Sequence, residues 1–478
     1  IEVTVANRND APSLEPIANE QILFSESLSI AASASDPDSA FGDSLIFSLS
    51  GEPNGMVIDS LTGAISYDPP DAVGDSSYTI TVTVTDDSGA ADSQFFGLEV
   101  DNPPEAISNL GVSESNGVLE IAFTASPASD LAGYTLYYGE SSTALDNSVS
   151  LGNSTTYQDS TPPYGTRHYY AVAAMDNSGF TTFSNDTVTI DLTTVSGIWN
   201  HDQDIQGDIT VPDGSTLYIN GATIRFALNN QLIVNGVLKV NETGSDTVSF
   251  LNGGPDWDGI RFIDANSDTS LLRYVKLGNT VLSGADTAGW GAGVFADNSF
   301  LRISHSEIYN NETQENNGAG GGIALVNSWV HIQNSLFYLN TSYYGAALYS
   351  NNSTLKFKNN TVIRNRSGSA LKTSGGSLEV RNNIIAHNTA GYGIETTKTS
   401  GITTNLFFNN KDADTTPSEQ MAYRPSNFGV PDSVHKFSGA EIDPYGNLFT
   451  DPLFRDYLSA DVPNSDLRLQ RNSPAVNM

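Results

Sequence analysis

The sequence predicts an all-β chain: two β-sandwich modules followed by a right-handed parallel β-helix. Three observations carry this expectation. Residues 8–195 break into short alternating apolar–polar runs separated by turn residues. From residue 301 onward one motif recurs at intervals of 22 to 29 residues. The composition is that of a β-rich, turn-rich protein, with 42 Gly and only 16% charged residues among 478.

The runs Gln21–Ile30, Ser44–Leu49, Gly63–Tyr67, Tyr78–Thr85 and Gln94–Val100 read as strands of a first sandwich over residues 8–102. Residues 1–7, opening Ile1-Glu2-Val3-Thr4-Val5, read as the last strand of a preceding domain, so both ends of the chain look cut. Pro103-Pro104 marks a linker. Residues 103–195 form a second sandwich, with strands at Leu119–Phe123, Tyr134–Tyr138 and Tyr169–Ala173.

In the third segment, 196–478, an apolar–x–apolar pair is followed by Asn or Ser, an aliphatic or aromatic stretch, and Asn. The copies run from Leu301, Val330, Leu355 and Leu378 to Asn311, Asn340, Asn365 and Asn388, and a last copy closes on Asn410. A coil this short cannot bury its apolar face alone, so neighbours must stack. Parallel strands joined by crossovers wind right-handed. Two Asn columns are expected to ladder between coils: Asn311, Asn340, Asn365, Asn388 and Asn410, and Asn334, Asn359 and Asn382. An Asn amide can donate to one coil and accept from the next. An insertion near 411–446 interrupts the pattern with Tyr423, Arg424, Phe428, His435, Lys436, Phe437 and Tyr445. It reads either as a recognition loop or as a cap over the end of the rod.

Charge and residue types exclude several functions. Net charge is −34, distributed −17, −9 and −8 over 1–102, 103–195 and 196–478, which argues against nucleic acid as a partner. No stretch is long and apolar enough for a membrane span, so direct membrane insertion is not expected. With no cysteine there is no disulfide, thiolate metal site or thiol nucleophile.

The first module carries Asn9-Asp10-Ala11-Pro12, Asp36-Pro37-Asp38, Ile58-Asp59-Ser60-Leu61-Thr62-Gly63 and Val84-Thr85-Asp86-Asp87-Ser88-Gly89. In that order these resemble bacterial cadherin-like modules of the Ig-like class. The resemblance implies Ca²⁺ at a junction between modules, with Asn9, Asp10, Asp36, Asp38 and Asp86 as its oxygen ligands. The sequence departs from the family pattern at Asn7 and Ala11. The alternative is that these residues cap turns. Gly165-Thr166-Arg167-His168-Tyr169-Tyr170 and Asp176-Asn177-Ser178-Gly179 resemble a fibronectin type III domain, with His168 at the corner-tyrosine position and Phe123 for the usual core Trp. His168 is read as structural and the module as a spacer. The third segment, with Gly321-Gly322-Ile323 and Phe337-Tyr338-Leu339-Asn340, resembles bacterial right-handed β-helix proteins of the adhesin and polysaccharide-lyase kind. That resemblance specifies a fold and leaves the activity open.

If the apolar pairs point inward, Arg302, His331, Lys356 and Glu379 form one outward column, and Ser304, Gln333, Lys358, Arg381 and Thr403 the next. Hydrolysis of a glycoside needs two carboxylates, and this face offers only Glu379. A polysaccharide lyase acting on an acidic polysaccharide needs a cation and a base, which Lys356, Lys358, Arg381 and His331 could supply. The same face could bind a polyanion without chemistry or be an ordinary solvated sheet. The leading expectation is a secreted or cell-surface adhesion or glycan-binding protein. Its partner would be a polysaccharide or a host or matrix glycan, with Arg302, His331, Lys356, Lys358, Arg381, Tyr423 and Tyr445 as ligand-binding residues. A structural subunit of an extracellular fibre or surface layer, packed on neighbouring copies of itself, is the third reading.

Overall fold

A computed structural model describes residues 8–70, 75–254, 256–282, 289–314, 316–398, 400–411, 416, 420–434, 439–455 and 467–475. Among them, one short 3-10 turn, Pro37–Phe41, interrupts an otherwise all-β chain. No helix is long and apolar enough to cross a membrane.

The first sandwich packs two sheets. One has the order Glu20–Leu23, Ala91–Asp101, Ser76–Thr85, Ile46–Ser50; the other has Leu28–Ala31, Ala64–Tyr67, Val57–Ile58. The alternation of Ser76–Thr85 turns Ile80, Val82 and Val84 into the core and leaves the threonines outside. The expected strand 21–30 is two strands in different sheets. The Glu26 N–H donates to the Leu23 carbonyl at 2.9 Å and its carboxylate accepts from the Leu23 N–H, so a turn splits the apolar run.

The second sandwich pairs Ser108–Ser115, Val118–Thr124 and Thr156–Asp159 against a sheet centred on Leu131–Gly139 and Arg167–Asp176. Phe123 meets Tyr134 edge-on at 4.9 Å, and His168 is buried, as expected of structural positions.

From Gly197–Trp199 the chain winds into a prism of three parallel sheets, each of nine strands. One sheet ends at Ile402–Thr403, the second at Leu406–Phe408 and the third at Met421–Ala422. Register is held coil after coil: Leu301 pairs Val330, then Leu355, then Leu378, and all four are inward or nearly so. The rod's core is continuous with that of the second sandwich, whereas the first sandwich has a core of its own. Tyr164 packs on Trp199 at 4.8 Å, and bridges Tyr164–Ile205 and Thr194–Thr210 pair the module with the first coil. A Cβ on Gly165 would lie 2.2 Å from the Gly207 backbone, so the two segments approach closely only because both positions are glycine. The second module is therefore built onto the rod rather than tethered to it as a free spacer.

The corners carry the Asn ladders. Asn311 donates to Asn340 at 2.9 Å, Asn340 to Asn365 at 2.9 Å, Asn365 to Asn388 at 2.9 Å, and Asn388 to Asn410 at 2.8 Å. The other column is corrected by one residue. Asn334, Asn359 and Asn382 have φ of 52°, 55° and 56° and face outward. The buried ladder is Asn360, Asn383 and Asn405, linked at 3.2 and 2.9 Å, with Asn447 after it and Ser335 before it. In each Asn-Asn doublet the first residue makes the left-handed bend and the second turns its amide inward.

Candidate functional site

The basic face forms in the expected register: Arg302, His331, Lys356 and Glu379 align, as do Ser304, Gln333, Lys358, Arg381 and Thr403. Its cations are partly engaged. Lys358 Nζ lies 2.7 Å from Glu379, a diagonal pair across neighbouring coils. An ion pair so placed contributes at most about 1 kcal/mol. Lys358 holds the Glu379 carboxyl below its ordinary range. The Arg302 guanidinium lies 5.6 Å over the Trp329 ring. His331 is pushed down by burial first and then by Lys358, Arg302 and Lys356, and its Nε2 is buried without a partner. The face thus sets an imidazole of lowered pKa among four cations.

A second feature lies on another side of the rod. Strands Leu371–Ser374, Ile394–Thr396 and Met421–Ala422 contribute Lys372, Glu395, Met421 and Ala422 to a groove of about 690 Å³. Its walls carry Tyr343, Tyr344, Tyr392 and Tyr423 with Lys372, Lys411, Arg424 and Glu395. Tyr343 and Tyr344 meet edge-on at 4.6 Å. Lys372 Nζ sits 4.0 Å over the Tyr344 ring and 2.8 Å from Glu395, whose other oxygen accepts from Ser369 at 2.9 Å. Lys411 Nζ sits 4.5 Å over the Tyr392 ring. Tyr343 and Tyr423 remain 55% and 71% exposed. Aromatic faces can receive the apolar face of a sugar ring, and cations beside them can take a carboxylate or sulfate.

Of the two insertion tyrosines, only Tyr423 joins this groove. Tyr445 donates its hydroxyl to the Ser426 carbonyl at 2.8 Å and packs on the rod core. Phe428 is buried against Phe407 and Phe449. The insertion thus caps the rod with Phe428 and Tyr445 and lines the groove with Tyr423. His435, Lys436 and Phe437 lie outside the described residues. Sequence reasoning missed Tyr343, Tyr344 and Tyr392. Their signal was a tyrosine just before the small-residue strand start at Gly345 and again at Gly393.

In the first sandwich the acidic residues converge only in part. Oxygens of Asp36, Asp43 and Asp86 lie within 4.8 Å of one another, and Asp43 was not foreseen. Asp36 is the N-cap of the 3-10 turn, where Oδ1 accepts from the Asp38 N–H at 2.7 Å. Its Oδ2 is buried without a partner, which suits a hard cation. Asp86 is tied to Asn9 at 2.7 Å, and Asn9 is the first cause of its lowered pKa. Asp38 turns away and accepts from the Asp10 N–H at 2.7 Å. The expected set thus divides: Asp36 and Asp86 share the cluster, Asn9 touches it, and Asp10 and Asp38 bind each other.

No curated protein is significantly similar to the chain in sequence. Among solved structures it is similar to a titin fragment at 14% identity, covering 38% of this chain and 67% of that one, with a TM-score of 0.29. It is also similar to the human desmocollin-1 ectodomain at 15% identity, covering 39% of this chain and 37% of that one, with a TM-score of 0.21. Two stretches match protein families. Residues 11–101 match the family described as Putative Ig domain, and residues 248–413 match the right handed beta helix region. The chain therefore joins an Ig-like sandwich region to a β-solenoid.

Proposed function

We propose that the chain is a secreted or cell-surface glycan-binding protein of the adhesion type, and that its binding site is the tyrosine-lined groove around Tyr423. The observation that supports this most is the pairing of aromatic rings with cations. Lys372 and Lys411 lie on the faces of Tyr344 and Tyr392, while Tyr343 and Tyr423 stay exposed. An acidic glycan satisfies both kinds of group. In calorimetric titration with a uronate oligosaccharide, Tyr423→Ala is expected to weaken binding by about tenfold, the loss of one aromatic contact of roughly 1.5 kcal/mol. Equal affinity for the parent and the variant removes the groove from this role.

A second reading rests on His331. An imidazole whose pKa is lowered by burial and by neighbouring cations, set among Arg302, Lys356, Lys358 and Arg381, is placed to take a proton beside a uronate carboxylate. Release of ultraviolet-absorbing unsaturated ends, stopped by His331→Ala, would make the protein a lyase. Binding without such product supports adhesion. At the N-terminal end, Ca²⁺ on Asp36, Asp43 and Asp86 would fix the loops of the first sandwich. EDTA should then lower the melting temperature of the parent by more than that of Asp36→Asn.

A further inference from the structure

One carboxylate stands among the cations of the tyrosine-lined groove. Of the described residues that line it, Lys372, Lys411 and Arg424 are cationic and Glu395 alone is acidic. A groove shaped only for a polyanion gains nothing from a fixed negative charge. A ligand carboxylate set near Glu395 would meet repulsion that grows as water is excluded.

Glu395 is held from two sides. Strands Leu371–Ser374 and Ile394–Thr396 pair in register, which sets Glu395 beside Lys372 on the adjacent coil. Its Oε1 lies 2.8 Å from Lys372 Nζ, and its Oε2 accepts from the hydroxyl of buried Ser369 at 2.9 Å. Lys372 Nζ is fixed in turn by the Tyr344 ring, 4.0 Å away. The pair still reaches solvent, with 23% and 26% of the two side chains exposed. A carboxylate oxygen can accept a second hydrogen bond, and an ammonium has three donors.

The pair therefore offers a donor and an acceptor side by side, with no net charge, next to the exposed ring of Tyr343. A sugar hydroxyl both donates and accepts, so it can use both partners. A ligand carboxylate only accepts: it can use Lys372, but its charge then lies against Glu395. Glu395 pairs Ala422 on the following coil, so Tyr423 and Arg424 come about 4.8 Å further along the rod.

We infer that Glu395 is a specificity-determining residue: with Lys372 it forms a subsite for an uncharged sugar unit, and the groove takes an oligosaccharide of mixed neutral and acidic units in preference to a uniform polyuronate. The inference rests on the groove reading given above and adds to it an order of charges. A neutral unit lies over Lys372 and Glu395, and an acidic unit lies towards Lys411 and Arg424.

The test is calorimetric titration of the full chain with two ligands of one length. One is a uronate oligosaccharide; the other is the same oligosaccharide after partial reduction of its carboxyls to primary alcohols, which turns some uronates into neutral hexoses. The parent is expected to bind the partly reduced ligand about tenfold more tightly, the effect of one like-charge contact in a half-shielded groove. Glu395→Gln keeps the shape and an acceptor for Ser369 but removes the charge. It should raise affinity for the uniform uronate by about tenfold and abolish the preference. Lys372→Gln leaves Glu395 without its counter-charge, so it should widen the preference, and it serves if Glu395→Gln fails to fold. Equal affinity of the parent for both ligands overturns the inference, as does a preference that Glu395→Gln leaves intact. Tyr423→Ala separates the two failures. If it weakens both ligands while Glu395→Gln alters no preference, the groove stands and the neutral subsite falls. If neither ligand binds the parent, both readings fall.

Discussion

Two stacks of like residues run along the rod, and they behave oppositely. Asn311, Asn340, Asn365, Asn388 and Asn410 form one buried chain in which each amide is donor to one neighbour and acceptor from the other. Arg302, His331, Lys356 and Glu379, with Lys358 and Arg381 beside them, repeat in the same register outside. Solenoid register stacks whatever the repeat supplies. Burial decides the consequence: inside, stacking satisfies groups that have no water; outside, it concentrates charge that water and salt weaken.

The sharpest way to break this contrast is Asn365→Leu. The Asn340 amide loses its acceptor and the Phe337 carbonyl its donor, so the cost should be on the order of 4 kcal/mol, at roughly 1–3 per buried orphan. A loss under about 1 kcal/mol in urea unfolding would mean that the ladder is ornamental. Asn359→Leu, one residue from the other ladder, should cost about 1–2 kcal/mol, from its left-handed backbone alone. Asn359→Gly should cost much less, a difference that separates bend from ladder.

Proton uptake sharpens the contrast further. His168 and His331 are both held below the ordinary value, mainly by burial. The unfolded chain therefore takes protons that the folded chain refuses, and stability falls as pH drops through about 6.5. His331→Gln should flatten that fall in melting temperature between pH 7 and 5. An unchanged slope would place the imidazole in solvent. The smallest effect is expected at Gln333, which lies among the outward residues. Gln333→Ala should stay within about 0.5 kcal/mol.

The repeat spacing made the rod legible because its period is set by geometry that every coil must satisfy, as at Leu301, Val330 and Leu355. The outward columns followed from strand alternation. The corners were legible only to within a residue, since Asn suits both a left-handed bend and a buried amide, and Asn359-Asn360 supplies both. The groove escaped because Tyr344, Tyr392 and Tyr423 come from different coils and an insertion, and only the Tyr-Gly recurrence at Gly345 and Gly393 points to it. Asp43 escaped for the same reason: it joins Asp86, 43 residues on, only by tertiary packing.

The seam between the second module and the rod sets a polarity on assembly. A bare first coil would offer open strand edges on which another rod could stack end to end. Here Tyr164, Thr193 and Val195 already occupy part of that rim, with Gln206 and Thr210 donating to Tyr164 and Thr193 at 2.8 Å and Val195 donating to Thr210 at 2.9 Å. End-to-end stacking would have to displace those bonds at this tip, and the Phe428 packing at the other.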